Sequence, residues 1–336
     1  MTDNQYTSTP KLLVYIPCHK DFEMAYINAR KIADQVTNNE PKSLDVQIVI
    51  SINGVENFRH QQDIPFTQIS YMQTVLGADA NIAKGFVTAL EIQPDYLWIL
   101  SANEDLVENA IRNLSKMIQQ NLDTDLFVTN AAGRHGDLSL SSVFLDVPPN
   151  LALGLISGVI YKFSSTKNSF LQSTLFSWTG WGHLSVIQNF LSTNAPNRLI
   201  EFPDSFLYEK PYTFTPLAGK NQSEREIVKN LYSHSFFGLP VLAYCMLQND
   251  PSSLKRYQAM WLRLNWYKLN SFAKKATFGD EMRLQRSVWI RAINKQSFKK
   301  FIRMRALYFL SSCVPASKLE NNRLATRLLE FYKRFA

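Results

Sequence analysis

Short apolar runs alternate with longer segments of helical periodicity over the first 130 residues of the chain. Runs with the length and composition of buried strands lie at Leu12–Ile16, Val46–Ile52, Gln68–Met72, Tyr96–Leu100 and Asp125–Thr129. Between them, apolar residues recur every three to four positions, which predicts helices at Phe22–Val36, Asn81–Glu91 and Leu106–Gln119. Strands that alternate with helices in this way predict an α/β fold with a mostly parallel sheet.

The alternation weakens after Asn130. The apolar segment Leu151–Lys162 predicts one further strand, and Thr174–Leu191 predicts a turn rich in glycine that leads into a helix. From about Leu254 onward, apolar residues again recur at helical spacing.

Charge is distributed unevenly between the two parts of the chain. Residues 251–336 hold 19 Lys and Arg against 4 Asp and Glu, a balance of +15, whereas residues 1–250 hold 17 basic and 24 acidic residues. We therefore predict a domain over 1–250 and a basic, helical C-terminal region over 251–336, with different roles. Amphipathic basic helices suit an anionic membrane surface, although apolar stripes of this kind also serve core packing.

Polar side chains directly follow three of the predicted strands. They are Cys18 and His19, then Asn53, and then Asn103, Glu104 and Asp105. Because ligands of parallel α/β sheets bind beyond the carboxyl ends of the strands, these residues predict a binding site at one edge of the sheet.

The acidic pair after the fourth strand has two interpretations. Carboxylate and amide oxygens are ligands for Mg²⁺ or Mn²⁺, so Glu104 and Asp105 are candidate metal ligands, with Asn103 as a neutral neighbour. Alternatively, acids at the start of a helix complement its dipole, and Asn is a good helix cap. Both interpretations remain open from the sequence.

Several motifs, in the correct order, resemble those of family 2 glycosyltransferases with the GT-A fold. The matching stretches are LLVYIPCHK, IVISINGVEN, LGADANIAKGFVTAL and DYLWILSANEDL. The nearest subgroup is the abequosyltransferase-like enzymes of bacterial O-antigen synthesis, whose LG-x-D-x-N element is matched by Leu76, Gly77, Asp79 and Asn81. The resemblance does not cover the last 80 or so residues. It implies a Rossmann-like nucleotide-sugar domain, with a nucleotide-binding half at about 11–130 and an acceptor half at about 131–250.

The resemblance also assigns candidate roles to individual residues. Those expected to bind the donor nucleotide are Pro17, Cys18, His19, Asn53, Asp79, Asn81 and Asn103. Asn53-Gly54 is also typical of an ordinary tight turn, and Asp79 is also a candidate helix cap. The chain departs from the family at Asn103, where Asp is usual, and at Gly182-His183, which stands near the usual place of a Glu-Asp pair.

The stretch SWTGWGHLS is unusual in its density of aromatic residues and glycine. Trp178 and Trp181 offer flat apolar faces of the kind that stack on a sugar acceptor. His183 is a candidate general base, since imidazole titrates near neutral pH; Asp105 is a further catalytic candidate, and Asp204 is a weaker alternative base. The competing interpretation is a core Trp pair with a histidine bonded to the backbone.

These observations predict a glycosyltransferase that moves a sugar from a nucleoside diphosphate to a saccharide or lipid-linked saccharide in bacterial surface polysaccharide synthesis. A few scattered cysteines, a polar start without the pattern of a signal peptide, and apolar runs too short to span a bilayer predict a cytoplasmic protein, peripheral on the inner face of the plasma membrane. No motif predicts binding to nucleic acid. The alternative is a GT-A domain with a decayed metal motif that serves as a scaffold.

Overall fold

The structure is a computed structural model, and it describes residues 9–18, 22–38, 44–54, 63–72, 77–129, 143–145, 153–192, 199–202, 206–207 and 238–261. The chain divides into two compact units, residues 1–216 and 217–336. The predicted boundary at residue 250, and the division into nucleotide and acceptor halves, stay predictions. His19, Leu76 and Asp204 lie outside the described residues.

The described part of the first unit is built from seven strands and six helices. The strands are β1 (Lys11–Cys18), β2 (Asp45–Asn53), β3 (Thr67–Met72), β4 (Tyr96–Ile99), β5 (Leu126–Thr129), β6 (Val159–Lys162) and β7 (Leu199–Phe202). The helices are α1 (Phe22–Thr37), α2 (Ala78–Ile92), α3 (Ala110–Gln120), α4 (Phe163–Thr166), α5 (Phe170–Leu175) and α6 (Gly182–Leu191). Short 3-10 turns occur at Ile156–Gly158, Lys167–Ser169 and Ser177–Thr179.

All seven strands belong to one sheet, in the order β3-β2-β1-β4-β6-β5-β7. The pairs β1–β2, β2–β3, β1–β4 and β5–β7 are parallel, and β6 runs antiparallel to both β4 and β5. The predicted α/β fold with a mostly parallel sheet is therefore confirmed. The apolar pattern at Leu151–Lys162 correctly predicted a strand, but the direction of β6 depends on pairing with residues distant in the sequence.

The centre of the sheet is covered on both faces. In β1, the five residues from Leu12 to Ile16 are completely buried, and in β4 no residue is more than 3% exposed. Burial on both faces explains why these strands are continuously apolar and do not alternate. On one face, α2 approaches β1 closely: a Cβ on Gly85 would lie 2.6 Å from the ring of Tyr15.

Helix α3 begins at Ala110, four residues later than the predicted start at Leu106. The reason is a contact with a remote segment. Leu106 forms an isolated antiparallel bridge with Leu207, and the N–H of Val107 donates to the carbonyl of Phe206 at 3.1 Å. The helical spacing of Leu106 and Val107 in the sequence is therefore overridden by tertiary pairing.

The second unit is described by two helices, at residues 238–247 and 251–261. Leu242, Ala243, Tyr257 and Trp261 are among the residues that they bury. Within the ranges that the structure describes, no helix combines the length and the apolar character needed to cross a membrane. Most of the basic region predicted over 251–336 lies outside these ranges.

Candidate functional site

The carboxyl ends of β2, β1 and β4 lie side by side, because these strands are parallel neighbours in the sheet. Cys18 ends β1 and is 2% exposed, while Asn53 ends β2 and is completely buried. Gly54 follows in the left-handed region with φ 73°, and its N–H donates to the carbonyl of Met72 at 3.0 Å. The structure thus brings the predicted donor-binding residues Pro17, Cys18 and Asn53 to one edge of the sheet; the turn expected at Asn53-Gly54 involves residues outside the described ranges and stays a prediction.

Asn81 connects the ends of β1 and β2 to the first turn of α2. Its Oδ1 accepts hydrogen bonds from the hydroxyls of Tyr15 at 3.1 Å and Ser51 at 2.8 Å. Its Nδ2 donates to the carbonyls of Cys18 at 3.3 Å and Ser51 at 3.2 Å. The side chain is 2% exposed and uses both its acceptor and its donor inside the protein. This geometry supports a positioning role for Asn81; its predicted contact with the nucleotide stays a prediction.

Asp79 lies in the first turn of α2 and is partly exposed. The residue at the start of this helix is Gly77, which makes no side-chain cap. A carboxylate in a first turn is favoured by the helix dipole whether or not it contacts a ligand. The two interpretations of Asp79 therefore both remain.

The turn after β4 is held by buried side chains that the sequence patterns did not single out. Ser157 accepts hydrogen bonds at its carbonyl from Trp98 Nε1 at 2.8 Å and at its Oγ from the N–H of Ser101 at 2.9 Å. On the other side, Nδ2 of Asn28 in α1 donates to the carbonyls of Ala102 and Glu104, at 3.1 and 2.8 Å. Four contacts thus fix a short turn that sits at the candidate site.

Helix α1 also holds the segment that follows this turn. Gln35 donates through Nε2 to the carbonyl of Val107 at 2.9 Å and accepts through Oε1 from the N–H of Ile111 at 2.9 Å. Asn28 and Gln35 are seven residues apart, two helical turns, so both face the same segment. A signal was present in the sequence, because Asn28 is a polar residue on the otherwise apolar face of Ala25, Ala29 and Ile32.

The two adjacent acids after β4 have different surroundings. Oδ1 of Asp105 accepts a hydrogen bond from Nζ of Lys31 in α1 at 2.5 Å, with side-chain exposures of 36% and 41%. The backbone of Glu104 closes the turn, since its N–H donates to the carbonyl of Ser101 at 3.1 Å. Asp105 is therefore already engaged with a cation of the protein itself.

A metal ion bound by several protein side chains is not supported by these surroundings. In the described ranges, no three His, Cys, Asp or Glu side chains are grouped as metal ligands. Mg²⁺ in nucleotide sites is often held by one or two carboxylates together with phosphate oxygens. Glu104 and Asn103 fit that smaller role, whereas Asp105 does not fit it while Lys31 is its partner.

Trp178 and Trp181 lie on either side of a tight turn between α5 and α6. Gly180 occupies the left-handed region with φ 77°, and the N–H of Trp181 donates to Oγ1 of Thr179 at 3.1 Å. Trp178 is 50% exposed, while Trp181 is partly buried with its ring centroid 6.1 Å from that of His183. They do not form the buried core pair that was the competing interpretation. Their predicted contact with an acceptor stays a prediction.

His183 lies in the first turn of α6 and is only 5% exposed. Burial lowers its pKa to about 4, although hydrogen bonds with the backbone of Gly154 and Leu153 work in the opposite direction. Its Nε2 is buried without a hydrogen-bond partner. The ring is therefore neutral at pH 7, and it differs from the exposed imidazole titrating near neutrality that the sequence suggested. Its role as a base stays a prediction, and a buried, backbone-bonded histidine matches the competing one.

Solved structures of TarS from S. aureus are similar to this chain at low sequence identity. The crystal structure of TarS 1–349 matches with a TM-score of 0.51 and 13% identity, over 97% of this chain and 92% of that one. The same fragment in complex with UDP matches with a TM-score of 0.50 and 12% identity, over the same shares. A longer TarS structure gives a TM-score of 0.49 and 12% identity over 88% of this chain, which spans about half (50%) of its length.

These similarities establish the fold class. TarS is a glycosyltransferase of the GT-A type, so the predicted GT-A fold is confirmed. No sequence-family model and no curated protein sequence matches the chain. The structures named are of TarS and not of an abequosyltransferase-like enzyme, and that finer resemblance stays a prediction.

Proposed function

We propose that the chain is a glycosyltransferase whose donor is a sugar nucleotide bound at the carboxyl edge of the sheet. The observation that supports this most directly is the meeting of Cys18, Asn53 and the turn after β4 at adjacent parallel strand ends in a GT-A sheet. Open α/β sheets bind ligands at this position. The side chain of Asn53 carries both a donor and an acceptor, the two kinds of group that a base or ribose can pair with.

Uridine diphosphate is the first nucleotide to test. A crystal structure of TarS 1–349, which shares the fold over most of this chain, contains UDP. In this proposal Asn53 and the backbone near Cys18 contact the nucleoside. Asn81 acts indirectly, because it holds the ends of β1 and β2 through four hydrogen bonds. A fixed site does not need to be ordered when the ligand binds, which favours affinity.

The diphosphate is placed in this proposal beside the turn after β4. A divalent cation, Mg²⁺ or Mn²⁺, would be held there by Glu104 and Asn103 and would offset the charge of the leaving group. The turn itself is positioned by Asn28 and Ser157. Asp105 is assigned to the support of the turn through Lys31 and not to the cation.

The acceptor in this proposal is a saccharide or lipid-linked saccharide from which a bacterial surface polysaccharide such as an O-antigen is built. Trp181 lies next to His183 at the start of α6 and is the candidate for stacking on a sugar ring. The sugar transferred would be a hexose or deoxyhexose. The basic residues 251–336 would hold the protein on the anionic inner face of the plasma membrane, because +15 charge attracts acidic lipid.

A scaffold protein with a decayed site is the second candidate. Asn103 in place of the usual Asp, and the engagement of Asp105 with Lys31, both favour it, because each removes a carboxylate from the candidate ligands of a cation. A scaffold would retain the fold without turnover. The two candidates therefore differ in whether the donor is cleaved.

The experiment is a thermal-shift titration of the full chain with UDP, GDP and CDP, each with and without Mn²⁺. A ligand at about 100 times its Kd stabilises the native state by about 2.7 kcal/mol, which raises Tm measurably. We expect UDP to give the largest shift, and Asn53→Ala to reduce it, while the exposed Asn109→Ala leaves it unchanged. Release of UDP from a UDP-sugar then separates enzyme from scaffold. No shift with any nucleotide contradicts the proposed donor site.

A further inference from the structure

Three large apolar side chains are exposed along one side of α5 and the turn that follows it. Leu171, Leu175 and Trp178 are 57%, 63% and 50% exposed. Their spacing of four and then three residues places them on the same side of the segment. We call these three residues the α5 face. Scattered exposed hydrophobic residues are ordinary, but three adjacent ones form a patch.

The polar atom of Trp178 is engaged within the segment itself. Its Nε1–H donates to the carbonyl of Leu175 at 3.0 Å. The exposed half of the indole therefore presents carbon atoms, and it has no free N–H with which to bind a sugar hydroxyl or a peptide carbonyl. The two leucines beside it offer no polar group either. The exposed surface of the three side chains of the α5 face is therefore apolar.

The α5 face is displayed on a rigid support. On the opposite side of α5, Phe170 is completely buried and its ring centroid lies 5.1 Å from that of Phe86 in α2. Helix α6 approaches so closely that a Cβ on Gly182 would lie 2.6 Å from the carbonyl of Ser173. The exposed leucines thus belong to a packed element, and their exposure does not come from a frayed helix end.

In the sequence, the segment that carries the α5 face has charge of one sign. Residues 147–200 contain no Asp or Glu, and their charged residues are Lys162, Lys167 and Arg198. Lys167 is exposed four residues before Leu171, with its Nζ 5.7 Å above the ring of Phe163. Exposed leucine and tryptophan beside lysine, without acids in the same segment, are complementary to the boundary between anionic headgroups and acyl chains.

We infer that the α5 face is a membrane-docking surface that inserts Leu171, Leu175 and Trp178 into the headgroup–acyl boundary of an anionic bilayer. This inference is independent of the donor chemistry, and it concerns the first unit of the chain, apart from residues 251–336. A surface of this kind would hold the unit on the bilayer that carries a lipid-linked acceptor. The rigid support means that little ordering is required on docking.

The test uses the full chain and vesicles of equal parts phosphatidylcholine and phosphatidylglycerol with brominated acyl chains, which quench tryptophan on contact. We expect vesicles to quench the fluorescence, and Trp178→Phe to remove most of the quenched component while Trp181→Phe retains it. Leu171→Ser with Leu175→Ser should weaken partitioning by roughly tenfold or more, from the apolar area lost. The matched control is Ile27→Ser, which changes an apolar residue that is 39% exposed on α1.

Each other result overturns the inference. Vesicle binding without quenching of Trp178 assigns the membrane contact to another part of the chain. Equal partitioning of the double leucine variant and of wild type also assigns the membrane contact to another part of the chain. If the leucine variant changes the oligomeric state of the free protein and leaves partitioning unaltered, the α5 face is a contact between copies of the chain. Trp181→Phe retains an aromatic ring at a partly buried position and the other variants replace exposed side chains, so an unchanged Tm confirms that each variant has folded.

Discussion

Asp105 and Lys31 form an ion pair, with 2.5 Å between Oδ1 and Nζ, that joins the turn after β4 to the middle of α1. Both side chains are more than one third exposed, so solvent screens the pair and its contribution to stability is about 0–1 kcal/mol. Its larger consequence is chemical. A cation that used Asp105 as a ligand would have to displace Lys31, so we propose Glu104 as the acid of the pair that contacts the cation.

Neutralising the two acids should therefore have different effects. Asp105→Asn is expected to lower the free energy of unfolding by less than about 1 kcal/mol and to leave Mn²⁺-dependent UDP binding intact. Glu104→Gln is expected to remove the Mn²⁺ dependence. Urea unfolding and nucleotide titration measure the two effects, and Lys31→Met is the control that breaks the same pair from the other side. Loss of the Mn²⁺ dependence in Asp105→Asn would return Asp105 to the set of metal ligands.

Asn81 should contribute to the stability of the protein even when no ligand is bound. Asn81→Ala leaves the hydroxyls of Tyr15 and Ser51 and the carbonyl of Cys18 without this partner in a buried site, at a cost of about 2–4 kcal/mol. Urea unfolding monitored by fluorescence measures the change. Asn109→Ala is the matched control, since Asn109 is exposed and makes no cap hydrogen bond; its expected change is less than about 0.5 kcal/mol. Equal effects of the two substitutions would contradict the positioning role.

Two glycines offer a comparison of close packing with open space. Gly182→Ala places a Cβ 2.6 Å from the carbonyl oxygen of Ser173 and 3.2 Å from the backbone of Ser177, neither of which is a flexible side-chain end. We expect a loss of about 1–3 kcal/mol as α5 and α6 separate. Gly77→Ala meets nothing within 4 Å and should change stability by less than about 1 kcal/mol. Thermal unfolding of both variants decides the matter, and a neutral Gly182→Ala would show that the two helices can adjust.

The sequence predicted those elements whose burial is continuous. β1 and β4 are buried on both faces, so their residues read as unbroken apolar runs, and the polar residues at their ends mark the edge of the sheet. The parallel direction of β1, β2 and β4 followed from the alternation of strands and helices. The position of the candidate site at this edge of the sheet could therefore be predicted from local patterns alone.

Contacts between residues distant in the sequence could not be predicted from local patterns. Ser157 supports a turn that lies 56 residues earlier in the chain, and Asn28 supports it from 74 residues away. Because Leu106 pairs with Leu207, α3 begins four residues later than predicted. The antiparallel direction of β6 is set by its pairing with β4 and β5. His183 forms its backbone hydrogen bonds with Leu153 and Gly154, about thirty residues before it. Apart from Asn28, which interrupts the apolar face of α1, none of these residues leaves a periodic signal.

The buried state of His183 has a consequence for stability against pH. Its pKa is about 4 in the folded protein and 6.5 when the residue is unperturbed. Between these values the unfolded chain binds the proton and the folded one does not, so stability rises with pH in this window. The contribution is present in full above pH 6.5 and is lost as the pH falls towards 4. The total is on the order of 3 kcal/mol, at about 1.4 kcal/mol per pH unit.

Comparison of wild type with His183→Gln isolates this contribution, because Gln cannot take up the proton and the other titrating groups cancel. Between pH 7 and pH 5, urea unfolding should show wild type losing about 2 kcal/mol more than the variant. A glutamine amide also retains the capacity to hydrogen-bond the backbone near Gly154. If both proteins lose the same amount, His183 titrates in the folded state near its ordinary pKa. Such an accessible imidazole would have the protonation behaviour that a general base for sugar transfer needs at neutral pH, and the predicted catalytic role would regain its physical basis.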